Sequence, residues 1–137
     1  NSEGTKIILS IRRLRCKACK SIHHELPDIL VPYKRYCSES IESVLNPAGS
    51  LCVAADDSTI RRWREWFREQ TDHFAGCLES IAVRLGRKPA EKLTRSSRSG
   101  FQRVMDLVGD APGWLARLVR PVANTNNWIH TRSAFLS

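Results

Sequence analysis

Cys16, Cys19, His23, His24 and Cys37 fall in one run, RCKACKSIHHELPDILVPYKRYC, which holds three of the chain's five cysteines and two of its four histidines. Thiolates and imidazoles are zinc donors, and a structural zinc takes four of them. Cys16 and Cys19 have the CxxC spacing of one zinc-ribbon knuckle, in which a tight turn between two strands aims backbone N–H groups at the sulfurs. His23 and His24 follow too soon for a Cys2His2 finger, whose histidines sit roughly a dozen residues further on. Cys37 has no partner at knuckle spacing. Three readings stand at this point: half of a zinc ribbon, a zinc site improvised with His23 or His24 and Cys37, or no metal at all. Redox use of Cys16 and Cys19 is disfavoured because no βαβ pattern follows the pair. Nothing nearby would orient Cys19 and a histidine as a nucleophile pair, and Cys52 and Cys77 read as small buried hydrophobes.

A second run, DDSTIRRWREWFRE, carries a different chemistry. On a helical wheel with Ile60 at zero, Arg64, Arg68 and Arg61 fall at about 40°, 80° and 100°. They form an acid-poor stripe beside the apolar one, while Arg62 lies near Glu65 and Glu69 and can pair locally. Ser58 and Thr59 place hydroxyls at the positive end of the helix, where phosphate is favoured. A polar cap followed by Thr, Ile, Arg, Arg and Trp suits a helix-turn-helix recognition helix, whose first residues reach base edges while arginines grip phosphate or guanine. The plainer alternative is an amphipathic surface helix with solvated arginines.

The elements that would position these groups follow from periodicity. TKIILSIRRLRC alternates as a strand and KSIHHELP as a second short one, with CKAC at the turn. Ser38 is expected to cap a short helix, SESIESVLN, stopped at Asn46-Pro47. PAGSLCVA is ambiguous between a short apolar helix and a buried extended piece. The strongest helix spans about 58–85, with capping groups at Asp56, Asp57 and Ser58 and a stop at Gly86. Ile60, Trp63, Phe67, Phe74, Leu78, Ile81 and Leu85 form its core stripe. Residues 86–100 read as a basic connection with one helical turn near Ala90–Leu93. FQRVMDLVGD and WLARLVRPV are helical around a turn at APG, the second ended by Pro121. Trp128, Ile129 and Phe135 suggest that the tail docks.

Charge is uneven across the 137 residues. Residues 1–40 carry 8 basic and 4 acidic side chains, 41–86 carry 5 and 7, and 87–137 carry 9 and 3, for a net charge of +8. Basic ends around a nearly neutral middle suit a protein that meets a polyanion. No window reaches the 18 or so apolar residues of a membrane span, and the N-terminus has no secretory signal. Five cysteines exclude a complete set of disulfides within the chain, and a reducing cytoplasm, with association to the nucleoid, is the expected location. With no initiator Met, a processed or truncated piece is the expectation.

IRRLRCKACKSIHHELPDILVPYKRY, DDSTIRRWREWF and GWLARLVRPVANTNNWIHTRSAFLS together resemble an uncharacterised bacterial domain-of-unknown-function family found mainly in Firmicutes. Its N-terminal half is similar to the zinc-ribbon and helix-turn-helix region of insertion-sequence transposases. The resemblance implies that Cys16 and Cys19 are the second zinc knuckle and that Ser58 to Arg64 open a DNA-reading helix. The chain departs from the pattern in lacking the first knuckle, and in having Cys37 where a small polar residue is expected.

The sequence thus predicts a mainly α protein with a small N-terminal β element. A zinc-ribbon-like hairpin (1–37) is followed by a helix-turn-helix-like region (38–86), then a basic connection and C-terminal helices (87–137). Double-stranded DNA is the expected partner, contacted by Ser58, Thr59, Arg61, Arg62, Arg64 and Arg68; zinc on Cys16 and Cys19 is the expected cofactor. A homodimer is a further expectation, and no membrane is involved. No set of three carboxylates on a sheet is present to build a transposase nuclease, so the chain is read as non-catalytic. The rival from another class is an assembly subunit that docks through a Trp63/Phe67 face or the NWIHTRSAFL tail. A more remote one is an oxidoreductase using Cys16 and Cys19.

Overall fold

The computed structural model describes residues 3–46, 53–87 and 99–128. It contains a two-stranded antiparallel hairpin, β1 (Arg13–Arg15) and β2 (Ile22–His24), then four helices. These are α1 (Ser38–Leu45), α2 (Asp57–Arg84), α3 (Gly100–Val108) and α4 (Trp114–Asn124). The mainly helical architecture with a small N-terminal hairpin is as the sequence predicts.

The long helix α2 is the wall on which α1, α3 and α4 all pack. Asp56 caps it, accepting from the Thr59 backbone N–H at 2.7 Å. Its far end closes as a Schellman motif: Gly86 takes φ +68°, its N–H reaches Val83 O, and Arg87 N–H reaches Ala82 O. Trp63, Trp66, Phe67, Phe74, Ala75 and Leu78 are buried along it. They meet Val104 of α3 and Leu115, Leu118, Val119 and Val122 of α4. Rings interlock edge-to-face, Phe67 on Trp114 at 5.4 Å and Phe101 on Trp114 at 6.0 Å. Trp128 stacks on Phe74 at 5.4 Å, so the start of the tail docks as expected; Ile129 and Phe135 lie outside the described residues, as do Pro47, Leu51, Cys52 and Ala90–Leu93.

Three devices fix the helices against one another. Gly100 opens α3 flush on α2: a Cβ there would lie 2.7 Å from Asp72 Oδ1 and 3.2 Å from the Asp72 backbone nitrogen. Arg103 bridges Asp72 and Glu79 at 3.2 and 3.1 Å. Gly113, at the mouth of α4 with φ +83°, has no side chain to cap the helix. Glu42 of α1 does so from across the core, accepting from the N–H groups of Gly113 at 2.7 Å and Leu115 at 2.8 Å.

Several expectations are corrected. Only Arg13–Arg15 of the predicted first strand pairs in a sheet, because β2 offers three residues of partner. The cap of α1 is Cys37 rather than Ser38, whose hydroxyl instead donates to Asp28 O at 2.8 Å. Leu85 is 66% exposed, since the last turn of α2 overshoots the core. Pro121 does not end α4, which runs on to Asn124. A proline inside a helix forfeits one ladder bond, and here burial of Leu118, Val119 and Val122 around it offsets the loss.

Candidate nucleic-acid interface and cysteine knuckle

Cys16 and Cys19 sit at the turn of the hairpin. The turn is closed by Cys16 N–H on Ser21 O at 2.9 Å and Lys20 N–H on Cys16 O at 3.1 Å. Lys20 takes φ +61°, a left-handed conformation that costs a non-glycine residue about 1–2 kcal/mol. The hydroxyl and N–H of Ser21, then Cys16 and His23, favour the Cys19 thiolate and pull its thiol down to about 6. The register pairs Arg13 with His24, Leu14 with His23 and Arg15 with Ile22. Paired residues share a face and successive ones alternate. His23 therefore lies on the cysteine side and His24 on the opposite side with Arg13 and Arg15, a distinction the sequence left open.

As a zinc site this arrangement fits in part. The two thiols share the turn of one hairpin, but among the described residues no group of three or more His, Cys, Asp or Glu side chains is gathered as a metal cage. Cys37 is not gathered with them; it is buried with its sulfur 2.9 Å from Ser40 Oγ. Cys77 is half-buried beside His73, at 3.5 Å from Nε2, and burial raises its thiol.

Arg61, Arg62, Arg64 and Arg68 of α2 are all exposed, but three of them have work within the chain. Arg64 Nε donates to Val44 O at 3.3 Å, satisfying a carbonyl at the end of α1. Arg62 folds back on the first turn, donating to Ser58 O and Oγ and to Thr59 Oγ1. Ser58 and Thr59 themselves donate their hydroxyls to Asp56, at 2.6 and 3.1 Å. Those bonds hold the Asp56 carboxyl down at about 2, a carboxylate in the place expected for phosphate. Arg68 pairs loosely with Glu65 at 3.7 Å, both exposed. Arg61 has no hydrogen-bond or ion-pair partner among the described residues.

A polar cleft of about 740 Å3 opens beside this row, lined in part by Lys34, Arg35, Thr59, Arg62 and Glu69. Lys34 lies over the Trp66 ring, 4.4 Å from its centre. Burial, and secondarily the Arg62 charge, lower its ammonium to about 8. Sequence reasoning missed Lys34; its position after Pro32 carried no periodic signal. Trp63 and Phe67 are buried in the chain's own core and offer no docking face.

A family model described as a domain of unknown function, DUF6431, matches residues 1–63, which span the hairpin, α1 and the opening of α2. No curated protein and no solved structure matches the chain.

Proposed function

We propose that this protein binds duplex DNA without acting on it chemically, as a relative of the targeting modules of bacterial insertion-sequence transposases. One observation carries the reading: four exposed guanidinium groups line the first half of α2, and among the described residues only that of Arg68 touches a carboxylate. A guanidinium has five N–H donors, so the single Nε bond of Arg64 leaves its fork for phosphate. Arg62 would have to unfold from Ser58 and Thr59 first. Those two hydroxyls, held by Asp56, would contact DNA only by sharing. No described helix is long and apolar enough to cross a membrane. Zinc on Cys16 and Cys19 would tie the turn of the hairpin, and a location in the cytoplasm with the nucleoid follows from the same reading.

The test is fluorescence anisotropy of a labelled duplex titrated with the full chain over a range of salt. Log affinity should fall against log salt with a slope of about −0.9 per phosphate neutralised. Replacing Arg61, Arg64 and Arg68 together by Ala should flatten that slope. Unchanged affinity and slope would remove α2 from the interface.

A further inference from the structure

We infer that the N-terminal hairpin is a second DNA-contacting element, a β-ribbon that enters the major groove with its Arg13/Arg15 face; this rests on the DNA-binding reading above. From Gly4 to His24 the chain carries six cationic side chains, Lys6, Arg12, Arg13, Arg15, Lys17 and Lys20, and no carboxylate. All six are exposed. Arg12 is paired, its Nε 2.8 Å from Glu25 just past the ribbon. The other five have no hydrogen-bond or ion-pair partner among the described residues. Intramolecular work thus occupies most of the α2 arginines but little of this surface.

The ribbon is also sterically available. β1 and β2 contact each other and no helix, so both faces are open. One face presents Arg13, Arg15, Ile22 and His24; the other presents Leu14, Cys16, Ser21 and His23. B-DNA's major groove admits a two-stranded ribbon, and arginine is the commonest reader of guanine there. Residues two apart on a strand are about 7 Å from each other, close to the rise of two base-pair steps, about 6.8 Å at 3.4 Å each. Arg13 and Arg15 are therefore in step with alternate base pairs. Ile22, 52% exposed on the same face, is of the kind that meets a thymine methyl. Lys17 and Lys20 at the turn, and Lys6 on the lead-in, are placed for phosphates. Charge complementarity selects the occupant: a ribbon with six cations and no acid suits a polyphosphate and would repel a basic partner.

The experiment compares the wild-type chain with Arg13→Ala/Arg15→Ala, Lys17→Ala/Lys20→Ala and the α2 triple variant on one duplex. Far-UV circular dichroism and the urea midpoint should not move in the hairpin variants, because these side chains touch no helix. Arg13→Ala/Arg15→Ala should weaken binding about tenfold per arginine, and Lys17→Ala/Lys20→Ala should flatten the salt slope by about one for each phosphate left without its lysine. The wild type should displace the major-groove dye methyl green, and the double arginine variant should not. If the wild type binds and only the α2 variant weakens it, the hairpin inference fails while the DNA reading stands. If the wild type binds no duplex, both fail. Tighter binding to single strands or RNA of the same sequence, abolished in the hairpin variants, would overturn duplex DNA as the occupant.

Discussion

Replacing Glu42 by Ala removes the side-chain cap at the N-terminus of α4, and its cost can be worked from the geometry. The Glu42 carboxylate accepts two backbone N–H bonds, at 2.7 and 2.8 Å, at the positive end of an eleven-residue helix. A hydrogen bond to a charged group contributes about 1.5–3 kcal/mol when desolvated, but Glu42 is half-buried and water can replace part of each bond. Loss of an N-cap typically costs about 1 kcal/mol, and loss of the charge at a helix terminus about 0.3–1 kcal/mol. The expected destabilisation for Glu42→Ala is therefore about 2 kcal/mol. Glu42→Gln keeps one acceptor but turns an NH2 toward a donor, and should lose about half as much or more. With a urea slope of about 2 kcal/mol/M, the alanine variant should unfold about 1 M earlier. The amides of Gly113 and Leu115 should also exchange faster. A shift below about 0.5 kcal/mol, the range of an ordinary surface substitution, together with unchanged exchange at those two amides, would refute the cross-core cap.

Two further outcomes are expected. Cobalt(II) added to the reduced chain should give thiolate charge-transfer absorption that Cys16→Ser/Cys19→Ser abolishes; no such band would leave the pair as plain thiols. Asp56 binds its proton at about 2 in the fold, below the ordinary carboxylate value, so the stability it adds is present above about 4 and is lost as pH falls toward 2. Asp56→Asn keeps a good cap that does not titrate. The stability difference between wild type and this variant should shrink across that window, and a constant difference would show that the Asp56 charge contributes nothing.

The reach of sequence reasoning here follows the range of each interaction. Trp63, Phe67, Phe74 and Leu78 were legible because helical spacing is local, and all four are buried. Trp66 was not: it lies off the stripe and is covered because α2 has neighbours on several sides. The hairpin with CxxC at its turn was legible because alternation on either side of a turn is also local. The choice between His23 and His24 needed the register, since a slip of a single residue exchanges the two faces of a strand. The pairing of Glu42 with the mouth of α4 spans 71 residues and leaves no periodic trace. At the candidate interface, the wheel set Arg61, Arg64 and Arg68 on one side and Arg62 apart, and all four are exposed. It could not show that Asp56 would draw in Ser58 and Thr59, or that Arg64 would serve the end of α1.

The placement of the aromatic residues makes the molecule an uneven reporter of its own unfolding. Trp63, Trp66, Trp114 and Trp128 all lie in the helical core, each no more than 5% exposed, whereas residues 3–32 contain no Trp, Tyr or Phe. Intrinsic emission will therefore follow the helices alone, and a ribbon that melts early will leave the optical signal untouched. A hairpin transition has to be sought with backbone amides or the thiols, and its midpoint need not coincide with that of the helical core.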